Sequence, residues 1–122
     1  MPTNTRTLPL LAALLGATAL AAQSYTLSTS ILTNQSARSG GCVGIADMDG
    51  DGLDDLILLH QSKTLSIDYQ NADGSFTSYS YGNVSSSSQW GMAVGDVDND
   101  GHKDIVSGGN GDGVHFVRIS GR

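Results

Sequence analysis

Hydrophobic and polar residues alternate along much of the chain after its first two dozen residues. The alternation runs through residues 64–69, 76–81 and 114–119, where β-branched and aromatic residues recur. Residues 55–60 instead form a continuous apolar run, which is typical of a buried strand. No segment in this part of the chain has the period of an amphipathic helix. The pattern therefore predicts an all-β fold.

Further strand-like segments divide the chain into two similar halves. The other predicted strands are residues 25–31, 42–46, 90–95 and 104–108. Turns are predicted at residues 61–63, 71–74 and 110–113, and polar linkers at residues 33–41 and 82–89. The order of strands, turns and linkers thus begins a second time near residue 82.

The hairpin turn at residues 71–74 allows strands 64–69 and 76–81 to pair, which extends one antiparallel sheet from residue 42 to residue 81. Strand 25–31 then lacks a partner upstream, and strand 114–119 lacks one downstream. In a closed radial array these two strands would pair with each other and hide both edges. Two sheets are too few to close such a ring. We expect two repeats, residues 24–73 and 75–120, each building a four-stranded antiparallel blade of an incomplete ring.

An acidic nine-residue segment occurs twice, at residues 47–55 and 96–104, with an offset of 49 positions. Each copy has Asp at positions 1, 3, 5 and 9 and Gly at position 6. Carboxylates this close repel one another, by up to about 1 kcal/mol per neighbouring pair even in bulk water. A hard cation removes that cost, and Ca²⁺ takes six to eight oxygen ligands from carboxylates, backbone carbonyls and water.

The spacing predicts which atoms face the cation. Positions 1, 3 and 5 of a tightly curled loop converge, and Gly at position 6 permits the turn that brings position 7 round. Position 7 would contribute a backbone carbonyl, and the last carboxylate would close the shell. The predicted ligands of two Ca²⁺ sites are Asp47, Asp49, Asp51, Leu53 (backbone oxygen) and Asp55 in the first loop, and Asp96, Asp98, Asp100, His102 (backbone oxygen) and Asp104 in the second.

The segment has two other interpretations. An EF-hand requires a Glu at position 12, where this chain has Leu58 and Ser107, and the chain contains no Glu. Its flanks are also β-prone and not helical, so the EF-hand is excluded. An acidic, solvated turn remains the alternative, because Asp and Gly are ordinary turn formers.

The first residues of the chain predict where in or outside the cell the protein is found. Arg6, the apolar run 8–20 and the sequence Ala19-Leu20-Ala21 predict a secretory signal peptide at residues 1–21, cleaved after Ala21 or Ala22. The run is short for a membrane span; an N-terminal membrane anchor is the alternative. We expect a secreted, extracellular or periplasmic protein with no membrane span after signal removal.

The net charge is −6, and eight of the twelve Asp are proposed ligands, so the acidity belongs to the loops. No basic patch is present for nucleic acid. Cys42 is the only cysteine, so no intramolecular disulfide forms and metal is the candidate for stabilising the domain.

Residues 43–57 and 92–106 resemble the FG-GAP/VCBS-type repeats, the blades of integrin-α-like β-propellers. The resemblance covers nearly all of the chain after the leader and implies Ca²⁺ binding between the first two strands of each blade. Trp90-Gly91 stands where the "FG" pair would be, and residues 107–109 replace "GAP". This is the looser, VCBS-like form, which does not imply integrin-type ligand recognition. Family propellers have more than two blades, so the chain is expected to be a fragment, a degenerate product or a protomer that assembles with copies of itself.

Other residues give weaker signals. The three histidines have no metal-binding spacing, and the serines have no recognisable catalytic partners. Tyr69, Phe76, Tyr79 and Tyr81 could form a sugar-binding surface or pack across strands. Asn34 and Asn83 lie in N-glycosylation sequons if the host glycosylates secreted proteins.

The sequence therefore predicts a secreted, non-catalytic, calcium-binding propeller module for binding, adhesion or scaffolding. Its expected partners are an extracellular protein or glycan, and either further blades or copies of itself. The alternative is the N-terminal part of a larger propeller-containing carbohydrate-active enzyme, or a lectin.

Overall fold

Seven strands form two antiparallel sheets in the computed structural model, which describes residues 26–32 and 42–120. The strands are β1 (Val43–Ala46), β2 (Asp55–Leu59), β3 (Thr64–Gln70), β4 (Phe76–Asn83), β5 (Gln89–Gly95), β6 (Asp104–Gly109) and β7 (Val114–Val117). The all-β prediction is confirmed for this part of the chain. Within the described ranges, no helix has the length and apolarity needed to cross a bilayer.

The first sheet has the order β1-β2-β3-β4, as the sequence predicts for residues 42–81. The turn between β3 and β4 is closed by Asn71, whose carbonyl accepts a 2.8 Å hydrogen bond from the Gly74 amide. Gly74 has φ +81°, a conformation that glycine adopts without steric cost. A bulge between Leu65 and Ser66 shifts the β3–β4 register. The hairpin interpretation of residues 71–74 is confirmed.

The second sheet has three strands in the order β5-β6-β7, and not the four that the sequence predicted. The predicted strand 25–31 is wrong over its described residues, because Thr29–Ile31 form a 3₁₀ turn. Its amides bond within the segment: Ile31 donates to Ser28 and Leu32 donates to Thr29, both at 3.1 Å. Leu27 and Ile31 are exposed, so the alternating pattern there buries no apolar face.

Some predicted features lie outside the described residues. They are the signal peptide at 1–21, Tyr25, the linker at 33–41 and the sequon at Asn34. The second linker is shorter than predicted, since β4 ends at Asn83 and β5 begins at Gln89. Likewise β7 ends at Val117, although Ile119 beyond it is buried.

The two sheets repeat each other residue by residue. Gly44 pairs with Ile57 in the first sheet, and Ala93 pairs with Val106 in the second, 49 positions later. All four pairs between β1 and β2 and all four between β2 and β3 reappear at this offset in β5–β7. The repeat seen in the acidic segments therefore extends through three strands of each sheet.

The core lies between the two sheets, where one face of each is buried. We call the inner side of the first sheet the first front face, formed by Gly44, Ile57, Leu59, Leu65, Ile67 and Tyr69. It packs on the second back face, formed by Met92, Val94, Ile105 and Val117. A Cβ on Gly44 would lie 2.9 Å from Met92 Cε and 3.3 Å from Val94 Cγ2. The absence of a side chain at Gly44 lets the two innermost strands approach.

The end of β6 passes close to the beginning of β5. A Cβ at Gly109 would overlap the carbonyl oxygen of Ser88 and would lie 2.9 Å from Gln89 Cα. Both atoms belong to the backbone, so no side-chain rotation relieves the overlap. Replacing Gly109 by Ala is expected to lower the free energy of unfolding by about 1–3 kcal/mol or more.

Gly108→Ala is the matched control in chemical denaturation, because the nearest atom to a Cβ at Gly108 is 4.0 Å away. Equal stabilities of the two variants would contradict the close approach.

Asp112 ties the linker before β5 to the turn between β6 and β7. Its carboxylate accepts hydrogen bonds from the Ser86 hydroxyl at 2.5 Å, the Ser86 amide at 2.6 Å and the Ser87 amide at 3.0 Å. His115 Nε2 lies 2.9 Å from the same carboxylate. The Ser86 hydroxyl and amide, aided by Ser87 and His115, lower the pKa of Asp112 from 3.8 to about 2.

This clamp predicts a pH-dependent loss of stability. Because the folded pKa is depressed, the stabilisation is present above about pH 4 and is lost as the pH falls through about 2. In EGTA, Asp112→Asn is therefore expected to melt at a lower temperature than the parent chain at pH 7 and at a similar temperature near pH 2. A melting difference that stays constant across this range would contradict the role assigned to the charge.

Candidate metal centre

Each acidic segment forms the connection between the first two strands of its sheet. Residues 47–54 join β1 to β2, and residues 96–103 join β5 to β6. The glycine at position 6 has positive φ in both copies, +88° at Gly52 and +92° at Gly101, as the predicted sharp turn requires. Position 4 is also left-handed, at Gly50 (+81°) and at Asn99 (+61°). This second turn is not predicted by the ligand spacing, although Asn is among the residues that tolerate it.

Three of the predicted carboxylates converge in each loop. One oxygen each from Asp47, Asp49 and Asp55 lie within 4.8 Å of one another. Two oxygens that share one Ca²⁺ at about 2.3–2.6 Å lie no more than about 5 Å apart, so a common cation is geometrically possible. The same separation holds in the second loop, for Asp96, Asp98 and Asp104.

The carboxylates at position 5 lie outside these clusters. Asp51 Oδ1 accepts a 2.8 Å hydrogen bond from the Leu53 amide, and Asp100 Oδ1 accepts one of 2.9 Å from the His102 amide. Each thus closes a short turn within its own loop. Ligation by these two side chains stays a prediction, as does ligation by the backbone carbonyls of Leu53 and His102.

The position 1 carboxylate organises each loop by accepting backbone amides. Asp47 accepts from Gly50 at 2.7 Å and from Gly52 at 3.0 Å. Asp96 accepts from Asp100 at 3.1 Å and from Gly101 at 3.0 Å. These amides offset part of the negative charge and hold the loop curled, so the carboxylates are positioned before any cation arrives.

The position 9 carboxylates form the buried floor of each site. Asp55 and Asp104 are 1% and 0% exposed. Each accepts a hydrogen bond from an amide near the start of its loop, from Met48 at 2.8 Å and from Val97 at 3.0 Å. The end of every loop is thereby fastened to its beginning.

The second carboxylate oxygen, Oδ1, is hydrogen-bonded in one floor residue and, within the described part of the chain, not in the other. Asp55 Oδ1 accepts a 2.9 Å hydrogen bond from the Gln70 amide at the end of β3. Asp104 Oδ1 has no hydrogen-bond partner among the described residues. A buried carboxylate oxygen without a partner is costly, so this atom favours a cation more strongly than its counterpart does.

Burial raises the pKa of Asp55, and the charges of Asp49 and Asp51 add to that effect. The amides of Met48 and Gln70 act in the opposite direction. The pKa of the floor carboxylate is therefore raised chiefly because burial removes water from its charged form.

A cationic side chain contacts the second cluster. The Arg118 guanidinium forms an ion pair with Asp98. The equivalent position in the first repeat is Tyr69, whose hydroxyl lies 2.6 Å from that of Tyr81. The contact between Arg118 and Asp98 is not predicted by residue spacing; the 49-residue offset shows only that Arg118 and Tyr69 hold equivalent positions.

The fold and the loops agree with the comparison against protein families. The family model described as an FG-GAP-like repeat matches residues 47–107, half of the chain. The chain belongs to the FG-GAP-like repeat family, which suggests a β-propeller-type module. No curated protein and no solved structure matches the chain.

Proposed function

We propose that the chain is a calcium-binding, non-catalytic β-propeller module that acts outside the cytoplasm in binding, adhesion or scaffolding. The observation that carries the proposal is the convergence of three carboxylate oxygens within 4.8 Å at equivalent positions of both repeats. Backbone amides compensate these charges only in part, and a divalent cation would complete the compensation. The predicted leader at residues 1–21 supports the location.

The donor atoms favour Ca²⁺ over other metals. Both clusters contain only carboxylate oxygens, whereas Zn²⁺ and Cu²⁺ prefer sulfur or imidazole nitrogen. Mg²⁺ demands near-ideal octahedral geometry and keeps most of its waters. Ca²⁺ accepts six to eight oxygens in flexible geometry and suits a loop that supplies ligands from many positions.

Metal binding would act on stability through the loop connections. A cation held by positions 1, 3 and 9 joins the end of the first strand to the beginning of the second. Binding only to the folded chain stabilises it by about 2.7 kcal/mol per site when free Ca²⁺ is 100 times the dissociation constant. We expect dissociation constants on the order of 10⁻⁴–10⁻³ M, the range of extracellular modules.

The hydroxyls near two of the histidines make contacts that hold the fold together. The Ser86 hydroxyl donates to the Asp112 carboxylate, which also accepts the Ser86 and Ser87 amides and so joins the linker to the turn after β6. His60 is within 2.8 Å of the Ser66 hydroxyl, in contact with a buried strand residue.

The aromatic residues of β3 and β4 support packing more than glycan recognition. Tyr69 is buried, Tyr81 and Phe76 are half-buried, and Tyr79 is exposed. The rings of Tyr79 and Tyr81 have centroids 5.2 Å apart and are tilted by 53°, a geometry typical of aromatic pairs.

Removal of calcium is the first test. We expect EGTA to lower the melting temperature and titration calorimetry to detect two sites per chain. Asp49→Asn should remove one site, because it takes away a clustered carboxylate. Asp54→Asn is the control: it makes the same charge change in the same loop, at an exposed residue outside the cluster. A melting temperature unchanged by chelation would refute the proposal.

The ion pair between Arg118 and Asp98 leads us to expect unequal Ca²⁺ affinities at the two sites. The Arg118 guanidinium competes with Ca²⁺ for Asp98, so Arg118→Gln is expected to tighten the second site by about two- to fivefold, since exposed ion pairs are worth about 0.2–1 kcal/mol. Lys103→Gln removes the same charge from an exposed residue in the loop and controls for the general field. Equal effects of the two substitutions on calorimetric affinity would show that the ion pair is not responsible.

A further inference from the structure

The outer side of the second sheet is an apolar face with no partner among the described residues. We call it the second front face; it is formed by Ala93, Val106, Val114 and Phe116. Val114 is 77% exposed and Phe116 is 48% exposed. Adjacent apolar side chains exposed on one sheet face indicate an interaction surface.

The outer side of the first sheet carries a second exposed apolar surface. We call it the first back face; its open part is formed by Val43, Ile45 and Leu56, which lie side by side on β1 and β2. Val43 is 51% exposed and Ile45 is 69% exposed. Ser66 and Asp68, further across the same face, are already buried, so the open surface is at β1 and β2.

The 49-residue offset relates these exposed faces to the buried ones. Ala93, Val106 and Phe116 stand at the positions of Gly44, Ile57 and Ile67 in the first front face, which is buried in the core. Each pair of equivalent residues has the same place in its sheet. The second front face is therefore the counterpart of a surface that packs on a neighbouring sheet in this same chain.

The same relation holds for the back faces. Val43, Ile45 and Leu56 stand at the positions of Met92, Val94 and Ile105, which form most of the buried second back face. The chain thus contains one front-to-back interface between its own sheets. It also exposes one further front and one further back of the same kind.

The side chains at the centre of the interface are complementary in size. Inside the chain, Gly44 leaves room for the long side chain of Met92. In a contact between copies, Ala93 would meet Val43, so the methyl group gained on one side is offset by the shorter side chain on the other. The summed volume is nearly kept, which is the kind of exchange that packed interfaces tolerate best.

We propose that the second front face packs on the first back face of a second copy of this chain, head to tail. Such a contact joins two different surfaces, so it continues from copy to copy until a ring closes or a filament grows. Propellers contain about four to eight blades, so a closed ring would hold about two to four copies. This assembly goes beyond the proposed calcium binding and does not depend on it.

The test is the solution mass of the purified chain by light scattering, in Ca²⁺ and in EGTA, over a wide range of concentration. We expect a mass of at least two protomers. Ile45→Arg, which disrupts only the back face, and Phe116→Arg, which disrupts only the front face, are each expected to give monomers. Both positions are exposed, and circular dichroism verifies that the variants fold; Val114→Arg replaces Phe116→Arg if the latter does not.

Mixing the two variants gives the decisive result. Each retains one intact face, so the mixture is expected to form a dimer of one Ile45→Arg chain and one Phe116→Arg chain. Ala72→Arg places the same charge in the exposed turn between β3 and β4 and should leave assembly unchanged. A monomeric parent chain, as expected if further blades of a longer chain cover these faces, would overturn the proposal. A mixture that remains monomeric would also overturn it.

These experiments distinguish failure of the assembly proposal from failure of the calcium proposal. Monomers that still bind two Ca²⁺ would refute the assembly alone. An oligomer that persists in EGTA with an unchanged melting temperature would refute the calcium proposal alone.

Discussion

The hydrogen bond from the start of each acidic loop to its last carboxylate is the contact on which the rest of the structure depends. Asp55 and Asp104 are buried at the beginning of β2 and β6, and each receives an amide from the other end of its loop. A buried carboxylate is costly unless it is hydrogen-bonded or paired with a cation. The same two residues thus set where the strands meet and place a negative charge at the base of the loop. Folding of the sheet and the proposed binding of a cation would therefore be coupled through one side chain in each repeat.

Packing between the sheets imposes a second constraint, which is the size of the residue at the innermost strand crossing. Gly44 is the residue that lets β1 approach β5, and Met92 fills the space that it leaves. The repeat equivalent of Gly44 is Ala93, and that of Met92 is Val43. Both Ala93 and Val43 are exposed. A repeat protein gains stability from interfaces between neighbouring units as well as from the units themselves. Within residues 26–32 and 42–120, the two units provide a single interface and leave two faces uncovered.

Much of this arrangement could be predicted from the sequence. Alternation and turn residues located all seven strands to within a few residues, and the identical spacing of the acidic segments indicated that the chain consists of two similar halves. Ser and Thr at alternate positions of residues 26–30 imitate a strand pattern, although the amides of Ile31 and Leu32 bond to carbonyls of the same short segment. Periodicity indicates which residues would share one face of a strand. It does not indicate whether a neighbouring strand is present to pair with that strand.

The details of the site were less accessible to sequence reasoning. Spacing identified the carboxylates at positions 1, 3 and 9 but could not show that Asp51 and Asp100 bond to amides of their own turns. Nor could it show that Arg118, which follows the end of β7, reaches Asp98, since that contact depends on how the folded strands are arranged. Asn99 is left-handed like Gly50, and a residue-type pattern that requires glycine at such positions overlooks it. The spacing of residues predicts the geometry within each loop, whereas contacts between residues distant in sequence are visible only in the folded structure.

The conserved pairing register between the two sheets has a consequence for how such a chain can lengthen. Because residue i and residue i+49 occupy the same place in their sheets, a duplication of one whole 49-residue unit adds a sheet whose two faces already match its neighbours. An insertion of an odd number of residues within a strand would instead move the following side chains to the opposite face of the sheet. Genetic growth by complete units thus requires no new surface, and the number of units can vary while the local chemistry of each loop stays the same.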